Sequence, residues 1–292
     1  MAKLEDRLPD NAPGDFYVDG SCIDCDTCRQ IAPAVFAQSA GEQSFVHHQP
    51  GGAEERRRAS MALIACPTSS IGSLDRAAVK DAVGEFPEPI APGIAYCGFT
   101  AESSFGASSY WIGRPGGNVL VDSPRAARPL MKRLEELGGL RLMFLTHRDD
   151  IADHQRYHEV FGCDRILHRR DVSRGTDEIE RIIEGDDPVA IEPDLTIIPL
   201  PGHTRGSAAL LFDETYLFTG DHLWWNEKSS RLHASRAVCW YSWAEQTRSM
   251  ERLLDHRFEW VLPGHGRRYR APSAAAMRAS LERLVKWMRS TV

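Results

Sequence analysis

The stretch "SCIDCDTCRQIAP" places Cys22, Cys25 and Cys28 each two residues from the next. Gaps that tight let three thiolates from one loop converge on a small metal core, and a fourth corner must come from elsewhere in the chain. Cys66, followed by Pro67 in "LIACPTSSIG", is the candidate. Four thiolates also suit tetrahedral zinc, but zinc sites usually arrive as two separate pairs. Five later segments carry a different chemistry: "NVLVDSP", "LTHRDDIADH", "LPGHTRGS", "FTGDHLWW" and "VLPGHGRR". Each supplies a His or Asp beside a tight turn at the end of an apolar run, so the side chain leaves a rigid strand.

These groups need elements to hold them. A chain of 292 residues suggests about two domains. Three prolines in "FPEPIAPG", residues 86–93, are too dense for a helix interior or a central strand and mark a linker. The expected division is residues 1–88 and 94–292. Before the linker, "EERRRASMALIA" and "DRAAVKDAVGEF" read as helices. After it, short apolar runs such as "LMFLTH", "LTIIPL" and "YLFTG" alternate with amphipathic helices, an α/β pattern. Those helices are expected near 128–138, with Pro129 early, near 243–255, opening on Ser242 and Glu245, and at the C-terminus, where Met277, Leu281, Leu284, Val285 and Met288 form a core stripe.

A net charge of −6 argues against nucleic-acid or anionic-membrane partners. The opening residues lack the pattern of a signal peptide and no run of 18 residues is apolar, so the cytoplasm is the expected location. Seven cysteines, three of them clustered, fit a reduced compartment and a metal centre better than a disulfide framework. Cys97, Cys163 and Cys239 are isolated and read as buried free thiols.

The cysteine run resembles that of the bacterial ferredoxins, C-x2-C-x2-C-x3-C-P, with Ala32-Pro33 keeping the proline and dropping the cysteine that serves a second cluster. The resemblance, over residues 15 to about 85, implies one 4Fe-4S cluster on Cys22, Cys25, Cys28 and Cys66. The five later segments together resemble the metallo-β-lactamase superfamily in order and spacing. The implied fold class is therefore α/β: a metallo-β-lactamase αββα sandwich preceded by a small α+β ferredoxin-like domain.

Carried over residue by residue, that resemblance implies His147, His203, Asp221 and His265 as metal ligands, with Asp221 able to bridge two ions and Asp122 supporting the site from its strand end. The family's second motif, H-x-H-x-D-H, is irregular here, reading H-R-D-D-I-A-D-H over residues 147–154. With two residues inserted, Asp149 replaces the second histidine, and Asp153 and His154 keep the final pair. Without insertion, Ile151 and Ala152 occupy that pair and the second metal site is largely lost. The insertion is preferred because Asp153 would N-cap the helix "DHQRYHEVF". A carboxylate in place of an imidazole hardens the donor set, leaving zinc or iron, and one or two ions, open.

Among the remaining histidines, His222 shares the turn of Asp221, His168 is at best a rim residue, and His47, His48, His158, His233 and His256 are expected at the surface. The tryptophans after Asp221 either cap the core or wall a substrate pocket.

Three functions follow. The first is metal-dependent hydrolysis of an ester, thioester or similar bond in a small-molecule substrate, with Asp150 or Asp153 moving the proton. The second is an iron-dependent oxidoreductase in which the 4Fe-4S cluster passes electrons to a non-haem metal site, with a redox protein as possible partner. The third is an electron-transfer or interaction protein with a degenerate metal site.

Overall fold

The computed structural model describes residues 2–291, the side chains of residues 76–78 excepted. By contacts the chain divides into two compact units that do not follow the proline-rich boundary: residues 1–118, 123–140 and 152–161 form the first, and residues 119–122, 141–151 and 162–292 the second.

In the first unit, strands Phe16–Val18 and Ile71–Ser73 pair antiparallel, as do Phe36–Gln38 and Ser44–Val46. Helices Thr27–Ile31 and Ala53–Ala65 lie between these strands in the chain, the second burying Ala59, Met61, Ala62 and Ala65. The expected linker is instead an edge strand. Glu88–Ala91 pairs antiparallel with Ile94–Tyr96, with a register shift at Pro89–Ala91, the kind of edge position where a missing N–H is tolerated. Helix Arg128–Glu136 carries Pro129 in its first turn, and helix His154–Phe161 begins immediately after Asp153.

The second unit holds four parallel strands, Val119–Val121, Leu142–Phe144, Asp164–His168 and Arg181–Ile183. Its other sheet runs Val189–Glu192, Leu195–Pro199, Ala208–Phe212, Tyr216–Gly220, Trp260–Pro263 and Tyr269–Arg270, antiparallel except where Tyr216–Gly220 meets Trp260–Pro263. Helices Trp243–Arg252 and Ala274–Arg289 cover it. Ser242 and Ser273 accept N–H bonds at their starts, and the stripe Met277, Leu281, Leu284, Val285 and Met288 packs with Ile198, Leu200 and Leu217. No helix among the described residues is long and apolar enough to cross a membrane.

Candidate metal centre and cysteine cavity

In the second unit the reactive groups sit where apolar strands end. The strand Val119–Val121 runs into Asp122, buried and at φ +57°. Its carboxylate accepts from Thr146 N at 2.8 Å and from Thr146 Oγ1 at 2.9 Å. That leaves the Thr146 oxygen to accept from His147 Nδ1, 3.0 Å away, so the second ring nitrogen, Nε2, keeps its lone pair. Burial pushes the Asp122 carboxyl up to about 8, against the Thr146 bonds that lower it. His203 is oriented the same way: its Nδ1 donates to the carbonyl of Val238. The two imidazoles meet edge to face, centroids 4.7 Å apart.

Both free Nε2 atoms face carboxylates. Asp149 Oδ2 is 3.9 Å from His147 Nε2 and 3.5 Å from His203 Nε2. Asp221 Oδ2 lies 3.8 Å from each and 3.7 Å from His265 Nε2. Asp150 is buried and lies beside Asp221. A Cβ on Gly264 would meet Asp221 Oδ1 at 2.7 Å and Asp150 Oδ2 at 2.9 Å, so only glycine leaves room for the two carboxylates together. Burial, then the neighbouring Asp221, pushes the Asp150 carboxyl well above the usual range.

The donor atoms fit a metal ion. His147, Asp149 and His203 form one compact group, and His147, Asp150 and Asp221 another. His147 Nε2, His203 Nε2, Asp150 Oδ2 and Asp221 Oδ1 are buried without a hydrogen-bond partner, a costly arrangement that a cation would relieve.

Asp171 ties the loops that carry these ligands. Buried after the strand Asp164–His168, it accepts from Arg148 N at 3.1 Å, from Thr204 Oγ1 and, at 2.7 Å, from Gly206 N. The residues after His147 and His203 are thereby held to one carboxylate.

In the first unit Cys22, Cys25, Cys28 and Cys66 line one cavity with Val18, Ile23 and Ile71. Ser44 N–H points at Cys22 Sγ, 3.4 Å away, and burial pushes the Cys25 thiol up to about 11. Four sulfurs round an apolar cavity suit an iron–sulfur cluster. Gly106, at φ +83°, lies against Cys25: a Cβ there would meet its Cβ at 2.7 Å and its sulfur at 2.9 Å. Thr27 Oγ1 donates to the Gly106 carbonyl at 3.1 Å.

Residues 18–73 match the family described as the 4Fe-4S single cluster domain of Ferredoxin I. Over 114 residues the sequence is 30% identical to a hydroxyacylglutathione hydrolase of Rhodospirillum rubrum. That match spans 38% of this chain and less than half, 44%, of the relative. The ETHE1 structure from Myxococcus xanthus is 20% identical, with 68% of this chain and 90% of that chain covered and a TM-score of 0.47. The DIM-1 metallo-beta-lactamase superposes on 67% of this chain and 96% of its own, at 14% identity and a TM-score of 0.51. The larger part of the chain has the metallo-β-lactamase fold.

On that fold the expected residues divide. His147, Asp149, His203, Asp221 and His265 are brought together, and Asp150 joins them. Asp153 and His154 are not brought to them: neither belongs to a donor group, and both fall in the first unit. Asp153 does open the helix, its carbonyl accepting from Tyr157 N at 3.4 Å. Its exposed carboxylate, however, is engaged by Ala126 N at 2.8 Å. Neighbouring Arg125 donates to the carbonyls of Thr100 at 2.8 Å and Ile64 at 3.1 Å, so Asp153 clasps a turn that buttresses the Cys66 helix. His168 is buried, with Nε2 on Gly185 O at 2.9 Å and Nδ1 accepting from Arg170 N at 3.2 Å, and it has no capacity left for a rim role. His222 is buried with both ring nitrogens unpartnered, outside either donor group. His47 and His48 are exposed, whereas His158, His233 and His256 are half-buried. Cys97 and Cys163 are buried thiols, and half-buried Cys239 donates to Gly202 O at 3.1 Å.

Sequence reasoning missed Asp171, Arg125 and Gly106, each of which acts on residues far along the chain with no motif around it. The tryptophans split between the two expected roles. Trp243 and Trp225 join the core, Trp225 stacked 3.8 Å from Tyr269, whereas Trp240 is 63% exposed with its ring 6.2 Å from that of His203.

Proposed function

We propose that this chain is a metal-dependent hydrolase acting on an ester, thioester or similar bond, with a 4Fe-4S cluster in the same polypeptide. The observation that carries the reading is the pair of buried imidazoles, His147 and His203, whose Nδ1 atoms are committed to Thr146 and Val238, leaving unpartnered Nε2 atoms that face Asp149 and Asp221. His147, Asp149 and His203 would hold the first ion, with Asp221 shared. Asp150, Asp221 and His265 are the donors left for a second. When bound, a divalent ion lowers the pKa of water toward neutrality and polarises a carbonyl oxygen. The chain contributes the rest. Thr146 and Asp122 hold the His147 ring, Val238 holds that of His203, and Asp171 keeps their loops in register. With only the first ion bound, the Asp150 carboxylate, buried beside Asp221, is placed to take and return a proton. The partial identity to a hydroxyacylglutathione hydrolase supports hydrolysis of an acyl bond.

A second reading, an iron-dependent oxidoreductase supplied with electrons by the cluster, is favoured by the ferredoxin-type match and by the hard carboxylate at Asp149. Protein purified without oxygen distinguishes the two. Asp221→Asn should lower thioester hydrolysis more than about a hundredfold, beyond what losing an outer partner of a ligand costs. A folded Cys25→Ser protein lacking its cluster should retain that hydrolysis. Absence of hydrolysis in the wild type, with electron-dependent turnover lost in Cys25→Ser, would instead establish the second reading.

A further inference from the structure

Beside His203 the second unit has a pocket walled by Arg170, Asp186, Arg205, Tyr241, Glu245 and Arg252. Its carboxylates are already neutralised. Asp186 receives both guanidinium nitrogens of Arg170, at 2.6 and 3.1 Å, and Glu245 is paired with Arg248. Arg252 donates to the Asp186 backbone carbonyl at 3.5 Å and helps hold the Asp186 and Glu245 carboxyls low, behind the contributions of Arg170 and Arg248, without a salt-bridge contact to either. Arg205 makes no ion pair among the described residues; its guanidinium lies 5.1 Å from the centroid of the Tyr241 ring. The Tyr241 hydroxyl has no partner among them either. Among the described residues, then, Arg205 and Arg252 make no salt-bridge contact and the Tyr241 hydroxyl no hydrogen bond, and all three border one pocket.

The pocket is tied to the metal centre by the backbone. Trp240 N and Tyr241 N both donate to His203 O at 3.0 Å, and Ser242 N donates to Gly202 O at 3.0 Å. With Val238 accepting from the His203 ring, residues 238–242 are stitched to the turn that carries the ligand. Arg205 lies two residues past His203 in the same turn. Exposed Trp240, next in the chain to Tyr241, offers an apolar face near the His203 ring.

We infer that this pocket binds the anionic end of the substrate, a carboxylate or phosphate held by Arg205, Arg252 and Tyr241, while the apolar middle lies on Trp240 and the scissile bond reaches the metal centre. The inference deepens the hydrolase reading and rests on it for the word substrate, but the pocket's affinity for anions is measurable without turnover. Guanidinium groups grip such oxyanions through paired N–H donors, and an exposed aromatic ring beneath the cation keeps it oriented.

Calorimetric titration of the holoprotein with glutarate and with inorganic phosphate is the test. One of the two should bind saturably, and the tighter identifies the group. Arg205→Met, which keeps the stem and should leave the melting temperature unchanged, should weaken that binding about tenfold, and Arg252→Met should weaken it too. Anions bound to the metal alone would titrate identically in wild type and both variants, which would overturn the inference, as would no binding up to about 10 mM. In turnover, Arg205→Met should raise KM for a succinyl thioester but not for the butyryl analogue, with kcat unchanged for both. If no thioester is hydrolysed, the hydrolase reading fails, and the calorimetric result still decides for or against the pocket.

Discussion

Three of the four cysteines come from one seven-residue stretch, Cys22 to Cys28, that runs into the helix Thr27–Ile31, whereas the imidazoles and carboxylates of the second centre come from the ends of separate strands and are ordered by a shared buried framework. The first arrangement is local in sequence: seven residues carry three of the ligands, and only Cys66 comes from elsewhere in the chain. The second is non-local, and its geometry depends on residues such as Asp171 that touch no donor atom. Loss of a ligand should therefore have contained consequences in the first centre and graded ones in the second.

The largest expected effect is on the cluster itself. Cys66→Ala in anaerobically purified protein should lose most of the broad absorption near roughly 400 nm expected of a thiolate-ligated cluster. Metal held by the second unit should be retained, which elemental analysis checks; loss of both would break the contrast between the centres. A smaller effect should separate neighbouring residues of the irregular motif. Asp150→Asn should weaken binding of one ion by about 10- to 100-fold, whereas His154→Ala should leave metal affinity unchanged. The reverse result, read by metal titration, would restore Asp153 and His154 to the site.

The smallest effect concerns scaffold strength. Buried Arg165 holds Glu180 through paired contacts at 2.7 and 3.0 Å. Burial pushes the Glu180 carboxyl up, but the Arg165 side chain and N–H more than offset this and bring it to about 2. A depressed carboxylate contributes fully above its ordinary value of 4.5, and the contribution is lost as pH falls toward 2. Glu180→Gln should therefore cost about 1 kcal/mol at pH 7, a figure reduced for solvent screening of the partly exposed carboxylate, and the gap to wild type should close progressively in acid. Denaturant melts across that range would show it.

What was legible follows the same division. The cysteine spacing and the five strand-end segments could be read directly, since each couples a reactive residue to a local turn. The proline-rich edge strand at 88–91 could not, because the register that rescues Pro89 lies in Ile94–Tyr96. The pair Asp153 and His154, unlike Asp149 and Asp150, lies outside the donor groups for a sharper reason. Asp153 does begin a helix, so the local argument was sound, but the carboxylate's choice between Ala126 N and a metal is made by the tertiary fold. Asp150, one residue past Asp149, has no helical signal, and its burial beside Asp221 arises only when Gly264 closes on both.

Gly106 and Arg125 lie well past residue 88, yet one covers Cys25 and the other braces the carbonyl of Ile64 just before Cys66. The cluster-bearing portion is accordingly not a detachable cassette. A fragment ending at residue 88 would keep all four sulfurs and lose the glycine that shelters one of them, so its cluster should bleach in air faster than that of the whole chain. Residues beyond 88 thus supply part of the cluster's cover, and the stretch before them could not be exchanged for a free-standing counterpart without rebuilding it.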